Sequence, residues 1–121
     1  LLKVEGDSFL VIFRNVAKAI QCAITMQRTL RAYNEDKSDE EKVLLCVGLG
    51  YGKMLRIGDS DVFGAEVNAA SKLGEDTADA WEILVTDAVY QRAKQSKGIS
   101  FEEIGDAPAG SNGAYKIIYS L

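Results

Sequence analysis

Apolar positions along the chain alternate between two spacings, and the alternation outlines a mixed fold. Residues 1–4 and 9–13 are short runs of apolar and β-branched residues separated by Glu5-Gly6-Asp7-Ser8, which predicts a β-hairpin. From Asn15, a residue suited to a helix N-cap, Val16, Ala19, Ile20, Ala23, Ile24 and Leu30 recur at helical spacing, predicting a helix to about Tyr33. Residues 34–42 carry charge without apolar content and read as a solvated connector. Residues 43–49 and 53–57 are again rich in β-formers, and Gly50-Tyr51-Gly52 between them predicts a second hairpin. A loop at 58–61 follows, then an Ala-rich helix over 65–73 that Gly74 is expected to stop.

Residues 83–86 predict a strand, with Asp87 capping a helix that runs to about Lys97 and ends at Gly98. Residues 99–104 and 114–121 predict a final strand pair, and Gly105, Pro108, Gly110 and Gly113 mark the loop between them. Strands mixed with helices, and joined in part by hairpins, favour an α+β domain in which helices cover one face of a sheet. The chain begins directly in a strand, so a preceding element is expected upstream of Leu1.

Composition narrows the class. At 121 residues one core is expected, and 47% hydrophobic with 26% charged residues is the balance of a folded, water-soluble domain. The longest apolar run, Phe9 to Phe13, is strand-sized, so no membrane span is expected. Fourteen Lys and Arg against 18 Asp and Glu give a net charge of -4, which argues against a general nucleic-acid binder. Histidine is absent, which removes Ser-His-Asp triads and His-containing zinc sites and leaves carboxylates to hold any metal. Cys22 and Cys46 stand far apart in apolar segments and match no CxxC spacing, so reduced, buried thiols in a cytoplasmic protein are expected.

Single residues carry little chemistry alone. Gly6-Asp7 fits any hairpin tip, and Asn68 and Lys72, four apart on one helix face, fit an ordinary solvated surface as well as a shared ligand. Arg56 could finish a strand, and Asp61 could be a loop acid. As an ordered set they are far more specific. "KVEGDSFLVIF", the helix "AKAIQCAITMQRTL", the run "VGLGYGKMLRIGDSDVFGAEVNAASKLGED" and "EILVTDAVY" together resemble the catalytic domain of class III adenylate and guanylate cyclases over essentially the whole chain.

That resemblance implies a ferredoxin-like, antiparallel-rich sheet with helices on one face, and one catalytic domain over 1–121 lacking the family's first strand and helix. It implies a phosphorus-oxygen lyase used in signalling: the 3'-hydroxyl of a nucleoside triphosphate attacks its own α-phosphorus and pyrophosphate leaves, with two Mg²⁺ or Mn²⁺ ions at a homodimer interface. By the same resemblance Asp7 is a metal aspartate, the other lying upstream of Leu1, and Arg56 contacts phosphate. Lys3 and Asp61 match the purine-reading positions. An ammonium donates to adenine N1 and a carboxylate accepts from its 6-amino group, so ATP and cyclic AMP are expected over GTP. Asn68 would orient the ribose, and Lys72 stands where the family usually has an arginine that stabilises charge on the α-phosphate.

Lysine keeps the charge and loses the bidentate fork, and the last loop offers no basic residue before Lys116. The alternative is therefore a weak or silent cyclase-like module that binds nucleotide or dimerises. A diguanylate cyclase hairpin would read Gly-Gly-Asp-Glu-Phe where residues 5–9 read Glu-Gly-Asp-Ser-Phe, and it gives Asn68 and Lys72 no role.

Overall fold

A computed structural model describes residues 2–5, 8–53, 55–57, 61–105 and 113–120, with backbone alone at 2–5, 9, 55–57 and 61–63. The first two strands, β1 (Leu2–Glu5) and β2 (Ser8–Val11), form the expected antiparallel ribbon, with Glu5 opposite Ser8. Helix α1 (Val16–Asn34) starts where the sequence places it: the Asn15 side chain accepts from the Lys18 N–H at 3.1 Å and so satisfies one free donor of the first turn. Its inward stripe is Ile20, Ala23, Ile24 and Gln27, spaced one helical turn apart. The charged connector is solvated as expected, but its start is pinned. Asn34 is buried, donating to the Val43 carbonyl at 2.8 Å and accepting from the Val43 N–H at 2.9 Å, which closes residues 35–42 into a loop.

The remaining elements are β3 (Val47–Leu49), β4 (Leu55–Ile57), β5 (Asp61–Phe63), α2 (Ala65–Lys72), a π-helical turn (Leu73–Thr77), β6 (Ile83–Thr86), α3 (Asp87–Ala93), β7 (Ser100–Ile104) and β8 (Ala114–Ile118). Four strands make the central sheet in the order β3-β6-β8-β7, with β3 and β6 parallel and the other two pairings antiparallel. The mixed α+β architecture expected from the sequence is the one observed.

All four residues of β6 are buried, so both faces of the sheet are covered at its centre. Ile83 and Val85 pack with Ile20, Ala23 and Ile24 of α1, Val89 and Ala93 of α3, and Ile117 of β8. Helices α1 and α3 thus share one face. Leu84 packs instead with Leu73 and Ala114, so α2 and its π turn add a second cover on the opposite face.

Several local expectations are corrected. Residues 43–49 and 53–57 do not pair across Gly50-Tyr51-Gly52: β3 pairs with β6, and β4 pairs with β5, with Ile57 opposite Asp61. Gly50, expected in a turn, serves close packing instead, as does Gly48 within β3. A Cβ on Gly48 would collide with the Ala70 carbonyl oxygen and lie 2.5 Å from the Gly74 nitrogen, and one on Gly50 would collide with the Glu66 carbonyl oxygen. Gly74 likewise does not stop its helix. The chain continues through the π turn, closed by the Ala78 N–H donating to the Leu73 carbonyl at 2.7 Å, and Gly74 instead admits the Gly48 backbone.

Asp61 lies in β5 and not in a loop. The cap of α3 is Thr86, whose Oγ1 accepts from the Val89 N–H at 3.4 Å, while Asp87 contributes first-turn charge. The helix ends at Ala93, before the expected Lys97, and Gly98 turns the chain with φ +83°. The cysteines are free, but Cys22 is half-buried and Cys46 exposed. Partial burial, with Asp79 and Glu82 nearby, pushes the Cys46 thiol above its ordinary pKa, which lowers its thiolate fraction at neutral pH.

The Gly48 contact gives the first prediction. Gly48→Ala inserts a methyl against backbone that has nowhere to go, and it is expected to lower unfolding free energy by about 2 kcal/mol or more. Urea titration checks this as a lower midpoint at unchanged slope.

Candidate functional site

Helix α2 has two unlike sides. Ala69 and Leu73 are fully buried and Glu66 and Ala70 half-buried, so positions 66, 69, 70 and 73 face the sheet. Asn68 and Lys72 are exposed on the other side, four residues or about 6 Å apart along the axis. Among the described residues neither side chain has a hydrogen-bond or ionic partner. The shared face expected from the sequence is therefore present, and both groups are available to something outside the helix.

The other predicted residues lie on separate elements. Asp61 stands on β5, which leads through Phe63 and Gly64 directly into α2. Arg56 stands on β4 opposite Val62, and Asp61 opposite Ile57, so the two occupy alternate registers of one ladder. Lys3 stands on β1 opposite Leu10. That ribbon approaches the end of the helical unit, because the Ser8 hydroxyl donates to Glu75 Oε1 in the π turn at 3.3 Å. Asp7 lies outside the described residues, and the side chains of Lys3, Arg56 and Asp61 are likewise outside the description. The Ser8–Glu75 contact thus ties β1–β2 to the π turn that follows α2, and β5 packs against α2. Among the described residues no group of three or more carboxylate or thiol side chains is placed to hold a metal.

The family model for the adenylate and guanylate cyclase catalytic domain matches residues 2–118. The chain belongs to this family.

Two curated proteins are similar to the chain over part of their length. "Putative adenylate cyclase 3" of Rhizobium meliloti (strain 1021) is 30% identical over 105 residues, which are 87% of this chain and 18% of that protein. "Serine/threonine-protein kinase pkn2" of Myxococcus xanthus is 30% identical over 89 residues, 74% of this chain and 10% of that protein. The chain thus spans less than a fifth of either curated relative. The crystal structure of an adenylate/guanylate cyclase/hydrolase from Silicibacter pomeroyi superposes with TM-score 0.81 at 23% identity, covering 97% of this chain and 70% of that one, a likeness of fold.

In this cyclase domain one side chain of the region escaped the sequence reading. Glu66 Oε1 accepts from the buried Thr86 hydroxyl at 2.6 Å and from the Tyr51 N–H at 2.9 Å. The signal was an acid at an inward helical position beside Ala69 and Ala70, where a carboxylate needs partners. Arg92 of α3 covers the Tyr51 ring, its guanidinium carbon 4.6 Å from the ring centre.

Since the exposed Asn68 and Lys72 side chains have no hydrogen-bond or ionic partner among the described residues, Asn68→Ala and Lys72→Ala are each expected to change unfolding free energy by less than about 0.5 kcal/mol. Thermal or urea unfolding of the two variants checks this, and a larger loss would mean that the outer face of α2 is spent on the fold.

Proposed function

We propose that the domain is an adenylate cyclase that converts ATP to cyclic AMP and pyrophosphate between two copies of the chain. One observation carries this reading: two polar side chains of a cyclase catalytic domain, Asn68 and Lys72, sit a turn apart on an exposed helix face with no hydrogen-bond or ionic partner among the described residues. A fold that needed them would have paired or buried them.

The chemistry follows from the residue types. The bond between the ribose 3'-oxygen and the α-phosphorus forms as the bond from that phosphorus to pyrophosphate breaks, and the hydroxyl proton leaves. Asn68, with both a donor and an acceptor, orients the ribose. Lys72 holds positive charge beside the α-phosphate, where charge grows in the transition state. Arg56 grips the departing phosphates, which its fork suits. Lys3 donates to adenine N1 and Asp61 accepts from the 6-amino group, which favours ATP. The name of the Rhizobium meliloti relative supports that preference.

The two-copy arrangement is supported by the β4–β5 ladder. Alternate registers belong to opposite faces of a ribbon, so Arg56 and Asp61 serve two different sites: Asp7 and Arg56 of one copy meet Lys3, Asp61, Asn68 and Lys72 of the other.

Divalent metal fits the donor set. With no histidine in the chain, carboxylate oxygen is the ligand on offer, and Asp7 falls in the short connection between the paired Glu5 and Ser8. Magnesium or manganese prefers such oxygen donors. Bound there, the ions would neutralise phosphate charge and polarise the 3'-hydroxyl.

The test is product formation from ATP and from GTP with Mn²⁺ and then Mg²⁺ in the intact protein. Cyclic AMP is the expected product, and cyclic GMP alone would overturn the Lys3/Asp61 assignment. Asp7→Ala should abolish turnover with unfolding unchanged, and retained activity would remove Asp7 from the metal site. Lys72→Arg should raise the rate by restoring a planar fork, and an unchanged or lower rate would mean that the α-phosphate is held otherwise. Lys72 also favours the second reading, a silent nucleotide-binding module. Metal-dependent ATP binding without any cyclic product would establish that one instead.

A further inference from the structure

We infer that Glu66 is a positioning residue for the cyclase reaction, fixing the placement of α2, and with it Asn68 and Lys72, relative to the strand that carries Arg56. The inference rests on the cyclase reading above.

The inward contacts of α2 are weak in direction. Ala69 and Ala70 present single methyl groups, and Leu73 lies at the far end. Apolar packing of this kind sets a distance but resists roll and sliding poorly, because burial is non-directional. Hydrogen bonds supply direction. Among the described residues the side-chain hydrogen bonds that α2 makes to the rest of the domain come from Glu66, and both end on one atom, Oε1.

The two donors lie on separate parts of the domain. Thr86 is fully buried where β6 passes into α3, so it reports the position of the central sheet. Tyr51 belongs to the segment between β3 and β4, five residues before Arg56. That segment wraps closely round Glu66: a Cβ on Gly52 would lie 2.8 Å from Glu66 Cγ. One carboxylate oxygen thus holds the helix bearing Asn68 and Lys72, the sheet, and the approach to Arg56 in a single geometry. In the two-copy arrangement Arg56 serves one site and Asn68 and Lys72 the other, so the tether also couples the two sites.

Since a single oxygen accepts both bonds, negative charge is not what the tether needs. The amide oxygen of glutamine can accept both, whereas alanine can accept neither. The expected result is that Glu66→Ala lowers kcat for cyclic nucleotide by at least about tenfold while KM moves less than about threefold, and that Glu66→Gln restores kcat to within about threefold. Amide hydrogen exchange at Tyr51, read by NMR, follows the tether without reference to activity: protection is lost in Glu66→Ala and kept in Glu66→Gln. Glu66→Met keeps the stem and removes both acceptors, so it stands in if Glu66→Ala does not fold.

Unchanged kcat in the variants lacking the acceptor overturns the inference. So does a Glu66→Gln variant as impaired as Glu66→Ala, because charge and not acceptor placement would then matter. Wild-type protein that makes no cyclic nucleotide, yet shows the expected exchange pattern at Tyr51, upholds the tether and counts against the cyclase reading alone.

Discussion

The approach of Gly48 on β3 to the backbone of α2 and its π turn is the constraint on which the rest of this structure depends. Any side chain at Gly48 would occupy the space of the Ala70 carbonyl and the Gly74 nitrogen, so the helix rests on the strand backbone to backbone. A glycine inside a strand weakens it, through lost packing and extra unfolded-state entropy. The loss is offset by what the contact permits. With the helix this close, Leu73 reaches Leu84 and Ala114 and forms a second cluster on the face that α1 and α3 leave open. The same proximity brings Glu66 within reach of Thr86.

The opposite face is assembled by different means, with branched apolar side chains and one buried amide. Gln27 of α1 is completely buried and donates from Nε2 to the Leu45 carbonyl at 3.0 Å and to the Glu82 carbonyl at 3.5 Å. Those carbonyls sit just ahead of β3 and β6, so the amide spans the start of the parallel pair. Its orientation is fixed by need, since a flip would turn an oxygen toward two carbonyl oxygens. Oε1 is left without a hydrogen-bond partner among the described residues, a cost the helix bears for joining the two strands. Beside it Trp81 adopts φ 72°, unusual for a residue with a side chain. It is held from both ends: its N–H donates to the Leu45 carbonyl at 2.9 Å, and its carbonyl accepts from the Tyr119 hydroxyl at 2.5 Å.

What the sequence disclosed tracks the range of the interaction involved. The Asn15 cap, the α1 stripe and strands β6, β7 and β8 depend on neighbours a few residues away, and they are legible as spacing. Asn68 and Lys72 share a face for the same reason. Gly50 reads as a turn and Gly74 as a helix stop because glycine carries the same letter whether it turns a chain or lets another backbone approach, and only the tertiary partner tells which. Thr86 was passed over as a cap because Asp87 beside it is an equally good candidate by type. Glu66 was invisible as a tether, since its donors lie 15 and 20 residues away. Lys3, Asp7, Arg56 and Asp61 came from family resemblance and not from local pattern, and no periodicity joins them.

The division of α2 into a clamped inner face and an outer one whose Asn68 and Lys72 have no partner among the described residues bears on the role proposed for Lys72, at the position where the family resemblance implies an arginine. An arginine in the place of Lys72 would bring a rigid planar fork that aligns itself on a phosphate through two parallel bonds. Lysine is a point charge on a four-carbon stem, and it contributes position only as well as its backbone does. In the proposed reaction the burden of alignment therefore shifts from the side chain to the helix under it. A chain that carries lysine at 72 gains more from a fixed helix than one that carries arginine, and among the described residues the side-chain hydrogen bonds that hold this helix to the rest of the domain are the pair accepted by Glu66. The glycine contact sets how close α2 lies to the sheet, and the carboxylate sets how it is turned. In the proposed reaction the two contacts together would supply the preorganisation that a lysine lacks.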